Sequence, residues 1–208
     1  MSEISYFQEV LRKLIHLSSL WMVAAIMLCG NDYRMILAAA FGTAWILNII
    51  LEHAVAKQVP YITPLYMFFF KKMLRKTPSP TDWVISGSPP VWCAAFLVTL
   101  LFPTQAAATA LAVMLIADTC AALVGRKFGR HKINGKSIEG CIAFIIGGLA
   151  AFAIIALFYP PLKWYGILSA SIGIILAMFA ELFEKQLHID DNLSIPLLTG
   201  ISMLFLYF

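Results

Sequence analysis

The chain has 208 residues, of which 61% are hydrophobic and only 12% charged, with a mean hydropathy of +0.85. Soluble domains carry about a quarter of their residues as charges, so this composition argues against a soluble enzyme, a nucleic-acid-binding protein and a disordered chain. It describes an all-α polytopic membrane protein forming one domain over residues 1–208. The net charge of +4 is small, and Cys29, Cys93, Cys120 and Cys141 lie in or beside apolar runs without metal-type spacing.

In chain order, MSEISYFQEVLRK has a helical pattern and two acids, and no small-residue cleavage site follows the first apolar run. That run, Leu14–Gly30, is therefore expected to remain as a span. A spanning helix needs roughly 20 apolar residues, within a range of about 17–25. By that measure Met35–Leu51, Pro89–Phe102, Thr104–Val124, Cys141–Phe158, Trp164–Ala180 and Leu193–Phe208 complete a set of seven spans. Pro103 and the pair Pro160–Pro161 punctuate two tight connections. Within the 52–88 loop, Tyr61–Lys76 is aromatic first and basic last, and reads as an interfacial or re-entrant segment. With seven spans, 13 of the 15 basic residues fall on one side, the exceptions being Arg34 and Lys163. The positive-inside rule makes that side cytoplasmic, with the N-terminus inside and the C-terminus outside.

The unusual polar residues share that side. Asp118 interrupts the fourth span seven residues before Gly125, about 10 Å from the helix end. An acid at such depth costs about 2.5–3.5 kcal/mol on insertion scales and normally faces a protein cavity; its bland role would be a packing pair with a lysine or arginine. Next comes GRKFGRHKINGKSIEG, residues 125–140, a loop over 125–136 leading into the fifth span. Ser137 is a natural N-cap, so Gly135, Lys136 and Ser137 would present N–H groups and an ammonium at a helix N-terminus, which suits phosphate. It is not a Walker A loop, because Arg130 occupies the position that needs glycine. AELFEKQLHIDDNLSIP, residues 180–196, holds four acids and one lysine. Glu181 with Lys185 could be a simple i, i+4 pair, and Asp191 or Asn192 could cap the last helix. Set against a basic loop, however, the same acids suit Mg²⁺ beside polyphosphate. Finally, RKLIH, residues 12–16, puts Arg12 and Lys13 one turn before His16 at a membrane boundary.

These motifs carry a resemblance. DTCAALVGRKFGRHKI from Asp118, then KSIEG from Lys136, resembles the CTP-dependent lipid kinases, which include dolichol kinase, phytol kinase and the CTP-dependent diacylglycerol kinase. RKLIH and AELFE…IDDNLSIP are similar to the flanking motifs of that family, in the same order. Phosphatidate cytidylyltransferases share the central pattern, but with a Ser-Pro-Lys-Lys-Thr-Trp-Glu-Gly type of signature. Here Asn134 to Gly140 lack its proline and its Lys-Thr-Trp. The middle loop departs from the kinases, since Arg75 and Lys76 are followed by Thr77, Pro78, Ser79 and Pro80 rather than by a glutamate.

The resemblance implies transfer of the CTP γ-phosphoryl group to a membrane lipid alcohol; the charge distribution puts the site on the cytoplasmic side, and a compact chain without organelle signals suggests a bacterial inner membrane. The resemblance also implies Mg²⁺ held by Asp118 with carboxylates such as Asp191 and Glu181. It further implies phosphates cradled by Lys132, Lys136 and the backbone around Gly125, Gly129 and Gly135. Lys13, Arg126, Ser137 and Asn192 join that nucleotide-binding set. Glu139 would orient a lysine or a metal-bound water, and either His16 or a carboxylate would take the hydroxyl proton. The alternatives are CDP-lipid synthesis and, from another class, an ion or anion transporter coupled through Asp118.

Overall fold

The computed structural model describes residues 6–71, 74, 78–159 and 164–204. The described chain is a helical bundle: α1 (Tyr6–Ser18), α2 (Leu20–Cys29), α3 (Arg34–Ala56), α4 (Ile62–Phe70), α5 (Ser88–Leu101), α6 (Thr104–Phe128), α7 (Ile138–Ala156), α8 (Trp164–Leu182), α9 (Glu184–Leu187) and α10 (Asp191–Leu204). One two-stranded hairpin, β1 (Lys132–Ile133) and β2 (Lys136–Ser137), interrupts the helices. Among the described residues, four helical stretches are long and apolar enough to cross a membrane: Tyr6–Cys29, Arg34–Ala56, Thr104–Phe128 and Ile138–Ala156. Ser88–Leu101 and Gly166–Leu182 are apolar but shorter.

Helix boundaries depart from the expected spans where polar side chains find partners. The first helix is already formed at Tyr6, where the described residues begin, and breaks at Ser19 within the expected span. Ser18 Oγ donates back to the Ile15 carbonyl at 2.6 Å, the kind of local bond that bends a helix at a serine pair. α6 runs on to Phe128, past the expected end at Val124, so the first residues of the expected 125–136 loop are helical and a hairpin over Lys132–Ser137 follows. The Asn134–Gly135 turn explains this, because both residues have positive φ, +56° and +85°. Asn-Gly is the pair that such two-residue hairpin turns favour. Of the expected interfacial segment Tyr61–Lys76, α4 exposes Leu65, Phe68 and Phe69 and buries only Thr63. Residues 72, 73, 75 and 76 of that segment lie outside the described residues. So do Pro160, Pro161, Lys163 and the last four residues of the expected seventh span.

α6 forms the axis of the bundle. Ala106, Ala107, Ala110, Leu111, Met114, Leu115 and Ala117 are fully buried, and Phe144 of α7, Ile174 of α8, and Ile195 and Met203 of α10 close around them. Lipid tails are as apolar as leucine, so such helices associate through van der Waals contact, which small residues improve by letting backbones approach. The outer surface is apolar too: Leu28, Ile36, Leu47, Ile146 and Leu157 are exposed.

Each end is tied by polar contacts. At one end Asn31 Oδ1 accepts from Thr104 N at 3.1 Å and Thr104 Oγ1 at 2.8 Å, capping α6 from another turn. Arg34 donates to the Phe102 carbonyl at 2.6 Å. Toward the opposite end of α3, the fully buried Glu52 accepts from Ile85 N at 2.7 Å, Ser86 N at 3.1 Å, the Ser86 hydroxyl and Tyr66 OH at 3.3 Å. A buried carboxylate is tolerated when its lone pairs are filled in this way, and the result pins α4 and the approach to α5 onto α3.

Candidate functional site

α1 brings Glu9, Arg12, Lys13 and His16 to one face, because i, i+3, i+4 and i+7 align on a helix. That face packs on α6 beside Asp118. Lys13 donates to Asp118 in a buried ion pair, and His16 Nε2 lies 3.3 Å from the same carboxylate oxygen. Glu9 binds Arg12 and stands 3.5 Å from Arg126, fastening the C-terminal turn of α6 to α1. Lys13 is thus only 1% exposed and is engaged with Asp118, rather than standing free at the membrane boundary.

A second group forms where the hairpin meets α8, α9 and α10. Lys136 Nζ is 2.9 Å from Glu181, 3.4 Å from Glu184 and 3.8 Å from Asp191. Lys136 therefore displaces Lys185 as the partner expected for Glu181. Burial works against the Lys136 ammonium, yet Glu181, Asp191 and Glu184 together hold its pKa above the usual lysine value. Burial and the neighbouring Asp118 and Glu184 push the Asp191 carboxyl up to about 7, although Lys136 opposes the shift.

The hairpin is seated by small residues. Ser137 Oγ accepts from Gly140 N at 3.1 Å, giving α7 the expected N-cap. A methyl group built on Gly125 would approach Ser137 Oγ to 2.9 Å, and one on Gly129 would come within 2.6 Å of it and press on the Gly125 carbonyl. These glycines therefore let α6 and the hairpin touch. Asn134 Nδ2 donates to the Leu182 carbonyl at 2.9 Å, holding the turn against the end of α8.

Several expected site residues stand elsewhere. The Glu139 carboxylate, expected to orient a lysine or a metal-bound water, is 2.8 Å from His131 Nδ1, because the hairpin lays residue 131 against the first turn of α7. Lys132 is exposed on β1. Asn192 donates to Asp190 at 2.8 Å and Asp191 at 3.1 Å. Asp190, rather than Asp191 or Asn192, supplies the cap of α10, accepting from Asn192 N at 2.9 Å. Glu9 and Glu184 are contacts that sequence reasoning left out of the site. The regular spacing of Glu9 with Arg12, Lys13 and His16 was the available signal for the first. Among the described residues, no three His, Cys, Asp or Glu side chains are drawn closely enough to hold a metal ion by themselves.

Comparison with known proteins identifies relatives without an assigned activity. An uncharacterized protein of Rickettsia prowazekii is 33% identical over 148 residues, covering 71% of this chain and 70% of its own length. An uncharacterized protein of Methanocaldococcus jannaschii is 32% identical over 90 residues, covering 42% of this chain and 41% of its own. No protein-family model and no solved structure matches.

Proposed function

This chain belongs to the same family as the Rickettsia prowazekii protein, and we propose that it is a membrane-embedded lipid kinase that moves the γ-phosphoryl group of CTP to a lipid alcohol. The observation that carries this reading is the convergence of basic and acidic side chains from α1, α6, the hairpin and α8–α10. Phosphoryl transfer needs little covalent chemistry from a protein, and catalysis is chiefly positioning and charge neutralisation. The choice of CTP comes from the motif resemblance.

The donor set suits Mg²⁺, which takes one or two carboxylates plus substrate phosphates rather than a complete protein cage. Asp118, Glu181 and Asp191 would hold it, and when bound it would neutralise charge on the transferring phosphate. Lys136, next to the capped start of α7, is suited to meet phosphate oxygens. Asp118 would keep Lys13 and His16 beside the reacting oxygen, with His16 or a carboxylate accepting its proton. The one-sided polar cluster favours this reading over a transporter, which would need polar groups through the whole depth.

In this reading seven spans cross a bacterial inner membrane, with α5, α8 and α10 completing the four longer stretches and the site facing the cytoplasm. A reporter inserted near Arg130 should be cytoplasmic and one fused after Phe208 extracytoplasmic; matching compartments would overturn the arrangement. For the reaction itself, purified protein with γ-labelled nucleotide and a panel of polyprenol, phytol-like alcohol and diacylglycerol should label one lipid. CTP with Mg²⁺ should be the better donor, and equal turnover with ATP would remove CTP from the proposal.

A further inference from the structure

α4 is held to α3 by little of its own surface. Of its nine residues only Thr63 is buried, while Leu65, Phe68 and Phe69 are exposed. Its inward contacts include the Tyr66 hydroxyl, which donates to Glu52 at 3.3 Å, and the packing of Tyr66 and Met67 on Val55, Ala56 and Ile85. Between the two helices lies a groove of about 290 Å³, lined by Leu51, Ile62, Leu65, Tyr66, Phe69 and Phe70. The Tyr66 hydroxyl is engaged with Glu52, so the groove wall is hydrocarbon and aromatic ring. Leu51 also belongs to the exposed stripe of Ile46, Leu47, Ile50 and Leu51 on α3. The groove therefore opens onto the outer apolar face of a helix long enough to cross a membrane.

Charge sets the chemistry of the occupant. From His53 to Thr81 the chain carries Lys57, Lys71, Lys72, Arg75 and Lys76 and no acid. Lys71 is exposed and directly follows Phe70, the last groove residue, as the C-cap of α4. Basic residues clustered beside a spanning helix attract anionic lipid headgroups. An apolar slot with an ammonium at its edge matches a hydrocarbon chain joined to an anion. At about 290 Å³ the groove lies at the small end of ligand pockets of about 300–1,000 Å³, which suits one hydrocarbon chain rather than a whole lipid.

We propose that the α3–α4 groove binds one acyl chain of an anionic phospholipid, with the lipid phosphate against Lys71. The lipid then covers the face of α4 that the protein leaves bare, and holds α4 at the level of the headgroups. The proposal rests on the membrane-embedded part of the proposed function and not on phosphoryl transfer. Its residues are separate from those that meet around Asp118 and Lys136.

The test is native mass spectrometry of the purified full-length protein in detergent, with phosphatidylglycerol and phosphatidylcholine of the same chains added in equal amounts. One phosphatidylglycerol should remain bound in preference to phosphatidylcholine. Lys71→Gln should reduce that preference by about fivefold, the weight of one lysine at an anionic surface. Leu51→Trp fills the groove and should reduce retention of both lipids. Leu47→Trp, one turn away on the same exposed stripe, should bind as the unaltered protein does. Equal retention of the two lipids by the unaltered protein, an unchanged preference in Lys71→Gln, or equal losses in the two tryptophan variants would each overturn the proposal. So would a dimer, dissociated by Leu51→Trp, in place of a lipid-bound monomer. Release of the chain from membranes by alkaline carbonate would refute the membrane reading and the groove with it, whereas an embedded chain without lipid preference would refute the groove alone.

Discussion

Asp118→Asn should give a protein that is both inactive and heat-labile, and the two defects should be separable. Asparagine keeps the size and polarity of the side chain but cannot neutralise Lys13, whose ammonium is buried against it. Breaking a buried pair by removing one partner costs about 3–5 kcal/mol, because the other charge stays buried and uncompensated. Lys13→Met in the same chain removes that orphan charge, so the double variant should regain most of the lost thermal stability. Turnover should nevertheless stay down by at least about 100-fold, the scale of losing one preorganised contact at the transferring phosphate. Melting temperatures and initial rates for the two single variants and the double variant complete the cycle. If the double variant recovered activity along with stability, Asp118 would be a packing partner of Lys13 and nothing more.

Gly129→Ala should be nearly as damaging to turnover, without touching any charged group. A methyl group there would press on the Gly125 carbonyl and stand 2.6 and 2.7 Å from Ser137 Oγ and Cβ. These neighbours are backbone and a short capping side chain, neither of which can swing aside. Overpacking of this kind costs about 1–3 kcal/mol or more, and here the strain falls on the contact that seats Lys136 beside Glu181. Turnover should drop by about ten- to a hundredfold as the hairpin lifts away. Gly87→Ala is the matched control, since a methyl group at that position meets nothing within 4 Å. Equal activity of the two variants would show that seating of the hairpin is irrelevant to the site.

The sequence disclosed the helical membrane class because apolar run length and charge scarcity are properties of composition, which the bundle's apolar outer surface repeats. It also disclosed Asp118, the Ser137 cap and the acidic 180–196 segment, because each breaks a local pattern. Pairing was harder to read. Lys13 lies 105 residues from Asp118, and Lys136 lies 45 from Glu181; no periodicity within one helix specifies which distant carboxylate an ammonium will meet. Local rules favoured Lys185 for Glu181, and the hairpin overrode them by delivering Lys136 from outside the helix. The packing contacts of Gly125 and Gly129, beside the phosphate cradle expected of them, are visible only from the close approach of α6 to the hairpin. Glu52 stood near the end of an apolar span next to His53, and its four donors come from α4 and the approach to α5, segments without helical periodicity to announce them.

The reaction itself is tested most directly by following two labels at once. CTP labelled at both the α- and γ-phosphates is incubated with the purified protein, Mg²⁺ and a lipid alcohol, and the extracted lipid is counted for each label. Transfer of the γ-label alone, with the α-label left in water-soluble CDP, is the predicted result and requires Asp118 and Lys136 to be intact. Lipid carrying the α-label would instead mean cytidylyl transfer with release of pyrophosphate, and lipid carrying neither label with any of the alcohols would contradict the kinase assignment.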